Sequence, residues 1–348
     1  MKIQIVGAKR TIARYQLNPI TRALKELKSL GYEFVNADNN PDYIMVQVTA
    51  LGKDSGLTPE RLMTETTAPI IVLDDSASTG THKFSLLRLY PDRFIGYIKK
   101  QLLRDRSLYK WEYPRNRYHY YQLQKIQDSD YPDSVNRHPY VNDEVLSKVH
   151  LGWSLALMER SGIQTSIEPN LDIEHRDIDI HFSVKAKHIT KIEIENLGKM
   201  DNMFNFHRSG CTVKLNKIVE KHGFSVSGKC KGQEYLNRMG RSKVCISPYG
   251  LGECCFRDLE AYCSGAICIK PSMDHIETWP NLYRDRETYI SCKPDWSDLE
   301  SILFDVVNNY DGYKHIARNT YQGVCEVWDN ELFANKFDSI MKSVLSKG

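Results

Sequence analysis

Residues 242–273, SKVCISPYGLGECCFRDLEAYCSGAICIKPSM, gather the residue types and spacings best suited to chemistry. The apolar run 243–247 leads into Pro248-Tyr249-Gly250-Leu251-Gly252, and a helix is expected from about Glu253 or Cys254. A strand, a glycine-rich turn and a helix start can form an anion cradle. Glycines let the backbone approach closely, while the free N–H groups and dipole of the helix start favour phosphate. Glu253, Arg257 and Glu260 follow at spacings of four and three, on one helical face. Arg257 can reach an anion at the helix start by a bidentate contact. Glu260, a turn further on, suits the paired hydroxyls of a ribose. The same spacing also describes a surface Glu–Arg–Glu ladder, worth ~0.3–0.5 kcal/mol per pair. Tyr249 can stack on a base or a sugar, or simply pack. His207-Arg208, near an expected helix start, can add anion contacts.

A second cluster lies nearer the start of the chain. Asp74-Asp75 ends the apolar run 70–73, beside the Ser/Thr/Gly-rich residues 76–80 and close to His82. Adjacent carboxylates at a strand end can supply a general base, and they can equally cap a turn. Metal chemistry would leave a different trace, hard oxygen ligands in Asp-x-Asp after an apolar strand. Asp128-Ser-Asp130 has no strand before it, and Asp177-Ile-Asp179 begins a strand instead of ending one. No His/Cys cluster replaces them, so neither an essential metal nor a cofactor is expected.

The elements that must hold these groups alternate between apolar strands and helices. Strands are expected at 2–6, 32–35, 43–48, 68–73, 178–184, 224–226, 243–247, 266–270 and 288–292. Ile20, Leu24, Leu27 and Leu30 give one helical face stopped at Gly31. Further helices are expected at about 143–160, 207–222, 232–239, 254–263, 295–309 (capped by Asp295 or Ser297), 313–328 and 330–346. The alternation indicates βαβ units and parallel sheets, which bind ligands at the carboxyl ends of their strands. A polar loop at 128–139 and a linker at 161–177 divide the chain into two α/β halves.

With 348 residues the chain is long enough for two domains. A hydrophobic fraction of 41% excludes a disordered chain. No stretch approaches the ~20 apolar residues of a membrane-spanning helix, and residues 1–6 read as a strand instead of a signal peptide. All nine cysteines fall at or after Cys211, with no Cys-x-x-Cys pair. They predict reduced, mostly buried thiols in a cytoplasmic protein. Residues 90–125 carry nine Lys/Arg against three acids, with seven interleaved tyrosines. Such a segment can bind single-stranded nucleic acid, an anionic surface or sugars that stack on rings. It can also be a solvated helix face followed by a tyrosine-rich connector. The net charge of +3 gives no support for nucleic acid, and none is expected as a partner.

The run SPYGLGECCFRDLEAYCSGAICIKP resembles the donor-binding half of GT-B glycosyltransferases, exostosin-like and family-1-like members in particular. The likeness covers about 242–300 and is architectural for 1–175. It implies two facing Rossmann-like domains with a central cleft: an acceptor-binding domain over 1–165 and a nucleotide-sugar-binding domain over 176–330. A last helix at 331–348 would pack back on the first domain. The diphosphate of a nucleotide sugar would sit near Gly250, Gly252, Glu253 and Arg257, with Tyr249 against the base or the sugar. Asp258, His207, Arg208 and Lys185 complete the expected donor set, and Glu260 would hold the ribose. Arg257 would stabilise the leaving diphosphate. For an inverting reaction Asp75 would be the base toward a glycan or glycoconjugate hydroxyl. The retaining members space two glutamates eight apart, whereas Glu253 and Glu260 are seven apart, so the stereochemical outcome stays open. A non-catalytic nucleotide- or glycan-binding module on the same scaffold is the alternative.

Overall fold

Short runs rich in Ile and Val become two parallel sheets in the computed structural model, which describes residues 1–8, 15–52, 56–74, 76–127, 135–154, 168–184 and 200–346. The first sheet is built from β1 (Lys2–Val6), β2 (Glu33–Phe34), β3 (Tyr43–Gln47), β4 (Ile70–Asp74), β5 (Phe94–Lys99) and, after a separate strand β6 (Gln101–Leu103), β7 (Val149–Leu151). Its order is β2-β1-β3-β4-β5-β7, every pair parallel. The second uses β8 (Ile178–His181), β9 (Val226–Ser227), β10 (Ser242–Ile246), β11 (Ile267–Pro271) and, after β12 (Ile276–Thr278), β13 (Ile290–Cys292). Its order is β13-β11-β10-β8-β9, again parallel throughout. Both sheets run out to one edge and then return past their first strand. A crevice therefore opens at the strand carboxyl ends between β1 and β3 and between β8 and β10. Strands β4, β5 and β11 are buried at every position, as sheets covered on both faces require.

The last helix, Asn330–Leu345, lies on the first domain. Phe333, Phe337, Met341 and Val344 join Ile3, Ile71 and Ile98 in one buried cluster. Burial of such side chains contributes ~1.5–3 kcal/mol each. Gly96 permits the close approach: a Cβ there would come within 2.6 Å of Val344 Cγ1.

A ribbon also joins the halves. β6 pairs antiparallel with β12, Leu103 opposite Ile276 and Gln101 opposite Thr278. Arg104 extends it, its N–H donating to His275 O (2.9 Å) and its guanidinium to the carbonyls of Asp274 and Ile276 (3.0 and 3.1 Å). From the adjoining helix Tyr118–Gln127, Tyr120 and Leu123 enter the core cluster of the second domain.

Several elements differ from the sequence reading. The helix expected over 20–30 breaks at Ala23 into Asn18–Arg22 and Leu24–Ser29. The break turns Leu24 and Leu30 outward while Ile20 and Leu27 stay buried. Residues 90–125 form no solvated helix face. They supply the central strand β5, the ribbon strand β6 and the helix Tyr118–Gln127. Lys99 and Lys100 are buried, Lys110 pairs with Asp143, Arg106 pairs with Glu277, and Arg117 sits 5.2 Å over the Tyr120 ring. The helix expected from 143 ends at Ser147, because β7 follows at once and pairs with β5. Its cap is Asn142, which accepts from Val145 N at 2.9 Å. The helix expected from 295 starts at Leu299, since Asp295 accepts from Ser297 N in a turn (2.9 Å). All nine cysteines are free thiols, five of them buried. No helix among the described residues is long and apolar enough to cross a membrane.

Candidate functional site

β10 ends at Ile246, and the glycine turn carries the chain to the helix Phe256–Ser264. Cys255 is the N-cap, and Asp258 closes a capping box by accepting from Cys255 N at 2.9 Å. Gly265, at φ +70°, ends the helix as expected. The helix therefore starts later than the sequence reading placed it. Glu253 lies in the turn, and only Arg257 and Glu260 share a helical face.

One side of the turn is cationic and opens on the crevice between β8 and β10. Arg257 is half-buried there, donating to Ser183 O just beyond β8 (3.3 Å), while its buried Nε has no hydrogen-bond partner. Burial would lower this guanidinium, but Cys245, Tyr235, Cys255 and Asp258 around it outweigh that and raise it above its ordinary value. Arg208 donates to Tyr249 O (3.3 Å), and a Cβ on Gly250 would stand 3.2 Å from its Nη2. Burial lowers the Arg208 guanidinium. Glu260 accepts from Tyr235 OH at 2.8 Å. His181, at the end of β8, shares a 2.8 Å hydrogen bond with Ser227 Oγ. Burial, with Arg257 and Arg238 nearby, pushes its ring down to about 4.

The other side of the turn faces the first domain. Glu253 is wholly buried and accepts from Thr79 Oγ1 (2.6 Å), Thr79 N (3.3 Å) and Gln101 Nε2 (2.8 Å). His119 Nδ1 lies 3.0 Å from Glu253 Oε1, off the line of a well-formed hydrogen bond. Burial would raise this carboxyl, but His119, His275 and Thr79 hold it well below the usual carboxylate range. Gly252 abuts the loop after β4, where a Cβ would meet Ala77 O at 1.6 Å. These contacts correct the expectation that Gly252 and Glu253 line the diphosphate pocket.

Three other expected ligand groups are occupied by the protein itself. Asp258 accepts from Ser247 Oγ (2.5 Å), Cys255 N and Tyr283 OH (2.8 Å), so both its oxygens are engaged within the protein. The Tyr249 ring is buried and its hydroxyl donates to Ser272 O (2.7 Å). His207 is stacked between Tyr249 (5.3 Å) and Trp296 (4.7 Å), and burial with Lys270 close by pushes it down to about 3. Lys270, which the sequence reading saw only as the end of a strand, is buried beneath the turn. Its ammonium lies 3.3 Å from Asp258 Oδ2 and 5.2 Å over the Tyr249 ring. Its apolar neighbours Ile267, Cys268 and Ile269 mark a strand and carry no sign of its ionic partner.

Asp75 and Lys185 lie outside the described residues, as does Asp128-Ser-Asp130. Asp74 is buried against Lys99 and also accepts from Tyr97 OH (2.9 Å) and Ser76 N (2.7 Å). Burial would raise it, yet Lys99 and His82 hold it at about 2. His82 is exposed to solvent in the segment after β4. Desolvation by the surrounding protein, with Lys99 close by, lowers the imidazole to about 4. Asp177 pairs with Arg241 and Asp179 with Lys243 (2.8 Å). Among the described residues no group of three or more His, Cys, Asp or Glu converges as a metal site. A small cavity of about 10 Å³ in the first domain, room for about one water, is lined by Tyr109, Trp111, Tyr113 and Tyr118 together with Thr79, Thr81 and Asn116.

Two doubly wound domains meeting at their strand carboxyl ends define the GT-B class of folds. No protein-family model and no curated protein matches the sequence. Among solved structures, the chain is similar to an alpha-glucosyltransferase in complex with UDP-glucose and DNA containing an abasic site. That match has a TM-score of 0.48 and 10% identity over 98% of this chain and 98% of the other. HepE of Anabaena, in complex with UDP and glucose, aligns at 0.44 and 11% over 99% of this chain and all of its own. A glycosyltransferase from Rickettsia africae aligns at 0.44 and 10% over 100% and 99%. The fold assignment rests on the strand orders and the domain arrangement described above.

Proposed function

We propose that the protein is a glycosyltransferase that moves a sugar from a nucleoside diphosphate to an acceptor hydroxyl, without a metal. One observation carries this reading: Arg257, Arg208 and a helix start converge at the crevice of the second sheet. Two guanidiniums beside a helix start at a strand carboxyl end suit a diphosphate. They would stabilise the charge that builds on the leaving group. Glu260, beside Tyr235, is the group proposed for the ribose. A glycan or glycoconjugate hydroxyl is the proposed acceptor.

The second reading is a non-catalytic binding module. What favours it is that Asp74 and Glu253, the two carboxylates on the facing walls, are both consumed by protein donors. A thermal-shift screen against UDP, GDP, CDP and their sugars, with and without EDTA, tests both. Stabilisation of about 3 kcal/mol at a hundredfold excess over Kd is expected for the correct nucleotide, unchanged by EDTA. Failure of every nucleotide would sink the transferase reading, and binding without transfer or hydrolysis would favour the module.

A further inference from the structure

We propose that Glu253 is a positioning residue whose carboxylate latches the glycine turn to the first domain and fixes the closed cleft in which transfer occurs. Only the last clause rests on the transferase reading. The latch itself is a property of the domain interface.

Glu253 takes donors from two separate elements of the first domain. Thr79, in the loop after β4, gives its hydroxyl and its N–H, and Gln101 of the ribbon gives its amide. A carboxylate with no water contact is stable only while its partners are in place. Opening the cleft at this point removes all three donors at once, and water must replace them together. The contact is therefore all-or-none, as a closure device requires. Gly252 extends it, since any side chain there would strike Ala77 O. Arg257 and Arg208 stand on the opposite side of the turn and donate to second-domain carbonyls, those of Ser183 and Tyr249. Nucleotide capture and cleft closure thus use opposite sides of one turn. Loss of the latch should leave the first intact and damage the alignment of the acceptor.

The test uses E253Q and T79V, which keep the shape and remove the charge or one donor, with T79S as the restoring change. UDP affinity is read by calorimetry, domain opening by small-angle scattering, and kcat with the donor identified in the nucleotide screen. The latch predicts UDP affinity within about threefold of wild type, a larger radius of gyration for E253Q and T79V, and kcat for E253Q lower by about 30-fold. T79S should restore compactness and rate, and T79V should add little to E253Q because both break one contact. An unchanged radius of gyration in both variants would overturn the proposal. So would a loss of UDP affinity matching the loss of kcat, which would make Glu253 a ligand contact. If the glutamine variant does not fold, T79V and T79S decide by scattering. A wild-type protein that neither binds UDP nor transfers sugar would count against the transferase reading, while scattering would still judge the latch.

Discussion

The two sheets share one strand order yet carry opposite chemistry at equivalent crevices. Beside β1 and β3 the first domain fills its crevice with amides: Gln47 accepts from Ala8 N (2.9 Å) and donates to Gln16 (3.3 Å), which reaches Asp74 O (2.9 Å). Its charged groups, Asp74 and Lys99, neutralise one another in the core. Beside β8 and β10 the second domain presents Arg208 and Arg257, which donate to the carbonyls of Tyr249 and Ser183. Topology supplies a crevice in both cases, and the proposed anion site falls at the one whose walls carry guanidiniums.

That contrast can be broken in graded ways. The largest effect should come from Lys99→Met in the first domain, which leaves Asp74 as an unpaired buried charge. A loss of about 3–5 kcal/mol in chemical denaturation is expected, and a loss below about 1 kcal/mol would show that Asp74 is not held as described. Next comes Arg257→Ala in the second domain. Turnover should fall about 100-fold, or about 2.7 kcal/mol, with the melting temperature little changed. Retained turnover would move the anion site elsewhere.

Acid should separate the domains more gently. His181, His207 and His275 of the second domain are held at about 4, 3 and 4 respectively, and His82 of the first at about 4. Each binds fewer protons folded than unfolded. The stability they contribute is present above an ordinary histidine value of about 6.5 and is lost as pH falls from there toward about 3. Hydrogen exchange should show the second domain loosening first between pH 7 and 5. Equal protection in both domains across that range would remove the distinction. The smallest effect belongs to the exposed Arg238–Glu234 pair, whose loss should cost no more than about 0.5 kcal/mol in thermal unfolding.

The sequence disclosed whatever depended on neighbours along the chain. The apolar runs of β1, β3, β4, β10 and β11, the stop at Gly265 and the glycine turn follow from local patterning. It concealed what depended on distant partners. Strand β5 ends in Lys99 and is followed by Lys100, so it read as a charged surface. The carboxylate that neutralises Lys99 belongs to Asp74, on the neighbouring strand. Glu253 read as a helix residue because the helix start depends on a thiol cap at Cys255, which no propensity favours. Its true partners, Thr79 and Gln101, come from the other half of the chain. Arg257 was expected on the helix after the turn, and it lies there, at the second helical position.

The ribbon of β6 and β12 carries a consequence for anyone who cuts and rejoins this chain. A hybrid made by grafting the second half onto a foreign first half would arrive with β12 lacking its mate and with a final helix shaped to the groove above Gly96. Tyr120 and Leu123 would also be missing from the grafted core. The interchangeable unit is thus discontinuous: the second half must travel with residues 101–127, and its last helix must be exchanged with the first half. Crossovers placed by that rule should yield folded hybrids where a single cut at the linker should not.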